Sequence, residues 1–184
     1  MNTDKSKNRP SKALWITRTA VMTAALIAMQ AATSALGNTL ITGSVVNFIL
    51  VVTVMTCGLL SGLTVAMLSP VFAKLLSIGP LWSLIPFIVL GNMALVALWH
   101  FIGNRSFGGK PVIGYGVSML VAAVAKFAVL YFGIVKLAIP FLLNLPAPKA
   151  GVISGMFSVP QLITALIGGA AAMIALPVLK KAIK

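Results

Sequence analysis

"VVNFILVVTVMTCGLLSGLTVAMLSPVFAKLLSI" occupies positions 45–78 and carries a single charge, Lys74. A helix needs about 20 apolar residues to cross the ~30 Å hydrocarbon layer of a bilayer. These 34 residues are too many for one ordinary crossing and few for two. Gly58 and Gly62, in "CGLLSGL", offer a tight reversal. The run is read as two short helices, 45–58 and 60–77, the second bent at Pro70. The alternative is one tilted helix over the whole run, which leaves five crossings in place of six.

Outward from this run, the chain divides at polar loops. The first crossing covers about Leu14 to Leu36, and the polar, glycine-bearing "GNTLITGS" at 37–44 is expected to be a loop. Gly79-Pro80 opens the next connection, and the fourth crossing covers about Leu81 to Gly103. "NRSFGGK" at 104–110 is a loop, and the fifth crossing covers about Pro111 to Ala138. "PFLLNLPAPKAG" at 140–151 carries three prolines and is expected to be irregular. The last crossing covers about Ser154 to Leu179, with a basic tail after it. The expected fold is an all-α integral membrane protein with six transmembrane helices in one domain over 13–184. A polar, basic, disordered cytoplasmic tail is expected over 1–12.

Composition agrees. Of 184 residues, 60% are hydrophobic and only 8% charged, where soluble domains carry about 25%. Mean hydropathy is +1.09. The first apolar run is too long for a secretory signal and lacks a convincing small-residue cleavage site. The net charge of +13 would suggest nucleic acid in a soluble protein. Here it reflects topology and contact with anionic lipid, and no nucleic-acid partner is expected. With the amino terminus inside, ten basic residues fall on the inner side and three on the outer, with Lys126 between them. Both termini are therefore expected to be cytoplasmic. The five-crossing alternative would place the basic 104–110 loop and the basic tail on opposite sides.

The chemistry-bearing residues are few. There is no Walker loop, HExxH, CxxC or paired carboxylate, and the only acid is Asp4. No metal site, no cofactor bound by this chain and no enzymatic activity are expected. Cys57 sits in an apolar run and reads as packing, and the lone His100 reads as interfacial. Without an acid inside the membrane, a carboxylate relay for protons or sodium is missing. The chain is expected to bind something and to take energy from a partner.

"RTAVMTAALIAMQAA" at 18–32 places Ala20, Ala24, Ala28 and Ala32 along one side of a helix. Small residues let helix backbones approach in lipid, within the bundle or against another subunit. The Ala20–Ala24 AxxxA pair with Ala28 beyond it, then "TGSVVNFIL", two glycine-linked short helices and "PFIVLGNMAL" form a recognisable order. From about Thr17 onward, the chain resembles the substrate-binding S component of an energy-coupling factor (ECF) transporter. That resemblance implies a prokaryotic plasma-membrane subunit that binds one vitamin near its outer face and topples in the membrane to deliver it. It also implies a transmembrane T component and two ATP-binding-cassette subunits, which hydrolyse ATP. On the same resemblance Ala20 and Ala24, with Ala28 extending the contact, meet the T component.

Polar groups in hydrocarbon need partners, so each is a candidate. Those toward the outer half are Asn38, Thr42 and Asn47 near the first outer loop, Asn92, Lys126, Tyr131 and Gln161. Each has a structural alternative: wet loop residues for Asn38 and Thr42, an interhelical bond for Asn92. Gln161 follows Pro160 and could satisfy backbone freed by the proline. Trp82 and Trp99 fit an aromatic belt at opposite ends of the fourth crossing, and Trp82 could also stack on a ligand. Lys126, in "VAAVAKFAVLYF" at 121–132, has no acid in any crossing to neutralise it. An isolated Lys there costs at least ~2.5–3.5 kcal/mol. It can snorkel, lose its proton, or take the substrate as its counter-ion. In the last case the substrate is anionic or neutral rather than cationic. "ITGSVVNFIL" with "PFIVLGN" further resembles the pantothenate branch of the family. If Lys126 is unpaired in the empty protein, removing it should stabilise the fold. The rival class is a scaffold subunit that binds no small molecule; a lipid-modifying enzyme lacks a nucleophile–base set.

Overall fold

The computed structural model describes residues 12–79, 81–106 and 109–182. In hydrocarbon a backbone has no water to bond, so each segment must satisfy its own N–H and C=O groups, as a helix does. Every element of the described residues is helical. They are α1 (Lys12–Ser34), α2 (Thr39–Cys57), α3 (Leu59–Leu75), α4 (Ile85–Gly103), α5 (Pro111–Leu130), α6 (Ala147–Met156) and α7 (Val159–Ala182). A 3-10 turn, Trp82–Leu84, leads into α4, and α5 continues in π-helical turns over Tyr131–Leu143. Five stretches are long and apolar enough to cross a membrane: 12–34, 39–57, 82–103, 111–143 and 147–182. By length and composition the chain is a multi-pass membrane protein. α3, with 17 residues, is a shorter apolar helix.

The 45–78 run does divide. α2 ends at Cys57, and Gly58 takes φ 90° and ψ 173°, a conformation that L side chains rarely adopt, before α3 begins at Leu59. Pro70 lies inside α3 without ending it.

Three expected boundaries are corrected. The 37–44 loop is mostly helix, because Asn38 is an N-cap: its Oδ1 accepts from Leu40 N at 2.9 Å and Ile41 N at 3.4 Å. The proline-rich 140–151 stretch is also largely helical. Pro146 precedes α6 and Pro148 falls in its first turn, where a missing N–H costs no bond. Before them, Asn144 turns the chain at φ 40°. The last crossing is split. Pro160 has no N–H for the Met156 carbonyl four residues back, and α6 ends at Met156. Of the tail expected over 1–12, only Lys12 is described, and it opens α1; residues 1–11 lie outside the described residues. So do Pro80, Phe107 and Gly108 of the expected connections.

α1–α5 and α7 run alternately up and down. Thr19 Oγ1 donates to Ser61 Oγ at 2.9 Å, joining the starts of α1 and α3. Lys180 Nζ donates to Tyr115 Oη at 3.1 Å, joining the end of α7 to the start of α5. Among the described residues this end of the bundle holds Lys12, Arg18, Arg105, Lys110, Lys180 and Lys181, against Lys74, Lys136 and Lys149 at the other. The main core lies among these helices, around Leu26, Leu50, Val65, Leu95, Trp99 and Ala122. A second cluster, Leu84, Leu130, Ile134, Ala138, Ile153 and Phe157, joins the start of α4 to the π-helical turns and α6.

Candidate functional site

Polar side chains from α2, α3, α4, α5 and α7 form one connected set inside this apolar bundle. Lys126 on α5 is only 4% exposed. Its Nζ donates to Asn47 Oδ1 on α2 at 2.6 Å and to Asn92 Oδ1 on α4 at 2.7 Å. Asn47 Nδ2 in turn donates to Thr164 Oγ1 on α7 at 3.3 Å, and Asn92 Nδ2 to Ser69 Oγ on α3 at 3.5 Å. Thr164 Oγ1 donates in its turn to the Gln161 carbonyl at 3.1 Å.

Close helix contact makes this possible. A Cβ added at Gly168 on α7 would lie 2.5 Å from the Ser44 carbonyl oxygen and 2.7 Å from Asn47 Cβ. Only glycine leaves room for α2 there, and the seam it creates brings Asn47 within reach of Thr164. Among the described residues, neutral carbonyl oxygens alone hold the Lys126 amine. The chain's one acid, Asp4, lies outside the described residues. Amide dipoles solvate a cation without neutralising it, and Asn47 and Asn92 accept two of the three N–H bonds that an ammonium can donate, which leaves one.

Above Lys126 is a cavity of about 460 Å³ at the less basic end of the bundle. Asn38, Thr42, Asn47, Asn92, Lys126 and Gln161 all line it. Their roles differ. Asn38 is exposed at the rim and is committed to capping α2. Thr42 Oγ1 donates to the Asn38 carbonyl at 3.3 Å. Gln161 Nε2 donates to the Met156 carbonyl at 3.1 Å, the group that Pro160 leaves without an N–H. Tyr131 is not brought to the cavity. It stacks on Phe127 at 5.5 Å between ring centroids, and Lys136 Nζ lies 5.6 Å above its ring. Trp82 is more than half exposed and also lies off the cavity lining.

The sequence reading missed Gln30 and Ser34 on α1, Ser69 on α3, Thr164 on α7, and Ser77, Met156 and Phe157, which line the cavity or join its network. Gln30 had a signal: it is the one side-chain amide in the first crossing. A serine beside a proline in mid-crossing was the signal at Ser69.

The alanine stripe faces outward. Ala20, Ala24 and Ala28 are exposed, while α1 buries Thr19, Thr23, Leu26 and Thr33 against the bundle. Ala20 and Ala24 line an open apolar groove whose far wall is Leu68 and Phe72 of α3. Trp99 is not part of an aromatic belt: it is fully buried, 6.3 Å from the Tyr115 ring. Cys57 is half-buried, with its Sγ 3.5 Å from Thr56 Oγ1, and His100 pairs with Asn104 at the end of α4.

No family model, curated protein or solved structure matches this chain.

Proposed function

We propose that this chain is the substrate-binding subunit of a vitamin importer of the ECF type, and that the cavity over Lys126 takes one small water-soluble molecule bearing a carboxylate. Lys126 carries the reading. It is a buried ammonium solvated by two amides, with a donor to spare, beside a cavity of vitamin size and with no carboxylate among the described residues to neutralise it. Burying an unneutralised charge is costly, and an anionic ligand removes that cost on binding. Pantothenate, a small carboxylate, is the best single substrate for the site.

The topology proposed with it has six crossings and both termini in the cytoplasm of a prokaryotic cell. α3 is about 25 Å long at 1.5 Å per residue, a few Å short of the hydrocarbon layer, which local thinning of the bilayer accommodates. Its start and end lie at opposite ends of the bundle. Six described bases at one end against three at the other favour that end as the cytoplasmic one, so the cavity opens outward. The exposed groove beside Ala20 and Ala24 is then the docking face for a transmembrane T component, whose two ATPase partners supply the energy. A scaffold subunit would need the groove but has no use for a charged cavity.

Native mass spectrometry of freshly extracted protein tests the reading. A bound small carboxylic acid, lost when Lys126 is replaced, is the expected result. Protein that carries only lipid, and that no vitamin-sized acid stabilises, would refute it.

A further inference from the structure

Among the described residues three buried side-chain polar atoms have no hydrogen-bond partner: Trp15 Nε1, Trp99 Nε1 and Gln30 Oε1. Only Gln30 lines the cavity over Lys126. It arrives from α1, which packs on α2 and α3, whereas Lys126 arrives from α5.

The other buried groups around the cavity are left with donors. Lys126 occupies the carbonyl oxygens of both Asn47 and Asn92, which turns their NH₂ groups away from it. Each NH₂ has two N–H donors and makes one bond, to Thr164 or to Ser69. Ser69 Oγ accepts from Asn92 and donates to no described acceptor. The floor therefore offers N–H and O–H groups, and the one buried acceptor without a partner is Gln30 Oε1. A ligand that is acceptor-only would satisfy the floor and strand Gln30. A ligand that is an acid at one end and a donor further along satisfies both.

We infer that Gln30 is a specificity-determining residue, and that the ligand is a carboxylate which also carries an N–H or O–H donor, placed on Gln30 Oε1 while the carboxylate sits over Lys126. This deepens the proposed function and rests on it for the carboxylate; the donor requirement rests on Gln30. The same arrangement would tie the ligand to α1, the helix that bears the exposed alanine face.

The test uses the full chain in detergent and matched acids of several chain lengths. N-acetyl-aminoalkanoates are compared with acetoxyalkanoates of the same length, which exchange one N–H for one ester oxygen. Affinity is read by calorimetry and thermal shift. The N–H acid is expected to bind roughly 2- to 12-fold tighter than its ester twin, the worth of one neutral hydrogen bond. Gln30→Met should abolish that gap while the preference for acid over its carboxamide survives. It should not destabilise the empty protein, since it removes an acceptor that has no partner.

Equal binding of the twins, preference for the ester, or a gap that survives in Gln30→Met would overturn the inference and leave the role of Lys126 standing. Wild-type protein that prefers the N–H twin but does not distinguish acid from carboxamide would keep Gln30 and sink the carboxylate reading. Binding of no acid in the panel would overturn both. If Gln30→Met does not fold, the comparison of twins on wild-type protein decides alone.

Discussion

Lys126 on α5 and Asn47 on α2 are 79 positions apart in the chain and 2.6 Å apart in the bundle. Together with Asn92, this contact changes the expected consequence of removing the lysine. Taken as an unpaired cation, Lys126 should destabilise the empty protein, and its loss should help. As the donor to two buried amide oxygens, it leaves both orphaned when it goes.

Lys126→Met is therefore expected to lower the stability of the empty protein, by about 1–3 kcal/mol for each oxygen left unpaired. Adding Asn47→Leu and Asn92→Leu should recover most of the loss, because removing every partner of a buried network is far milder than removing one. Thermal unfolding in detergent measures both. A single Lys126→Met variant more stable than wild type would mean that the network does not hold the ammonium as described. On the ligand side, the same variant loses a charge-assisted bond of about 1.5–3 kcal/mol. Affinity for an acidic ligand should fall roughly 10- to 150-fold.

Asn47→Asp is nearly isosteric and places a carboxylate 2.6 Å from where Nζ sits. An internal counter-ion should then replace the ligand's. The variant is expected to fold at least as well as wild type and to bind an acidic ligand roughly 10-fold or more weakly, since an ion pair of this kind must be broken or shared. Calorimetry with the acid and its carboxamide reads the effect. Tighter binding of the acid in Asn47→Asp would reverse the electrostatic logic of the cavity.

Gly168→Val probes the α2–α7 seam. A branched side chain there has nowhere to go, with the Ser44 carbonyl and Asn47 Cβ already inside contact distance of a single added carbon. Overpacking of this kind costs about 1–3 kcal/mol. The melting temperature should drop, and ligand binding should weaken with it because Asn47 moves off Thr164. An unchanged melting temperature would show that the two helices can part without cost.

Ala20→Trp and Ala24→Trp alter an exposed face of α1 that lines the groove and not the cavity. Ligand binding by the isolated chain is expected to survive. On the proposed function, uptake by cells that carry the partner subunits should be lost, because a bulky ring fills the groove against Leu68 and Phe72. Parallel loss of binding and uptake would mean that the face serves the chain's own packing.

Orientation can be read with cysteines in a Cys57-free background. Ser106→Cys, beside Arg105 at the basic end, should resist an impermeant thiol reagent in intact cells. Lys149→Cys, exposed on α6 at the other end, should react. The opposite labelling pattern would invert the topology and turn the cavity toward the cytoplasm.

The order of residues along the chain carried information that was local and one-dimensional. Hydropathy pointed to a multi-pass membrane protein, and Gly58 marked the reversal between α2 and α3, since a backbone break depends on the residues at the break. The basic residues marked one end of the bundle, and Lys126 stood out because no acid in any crossing could accompany it. Local chemistry misled where one residue type serves two purposes. Asn38 in "GNTLITGS" looked like a loop residue and is a cap, and Pro146 and Pro148 looked like breakers and begin a helix. Tertiary structure decided which way each helix faces. Helices that are apolar nearly all round have no polar stripe to reveal their inward side. The rotation of each is set by contacts with distant segments, such as Gly168 against Asn47. That rotation turned the alanines outward, Gln30 toward the cavity and Tyr131 away from it, and gave Lys126 two amides for partners in place of an acid.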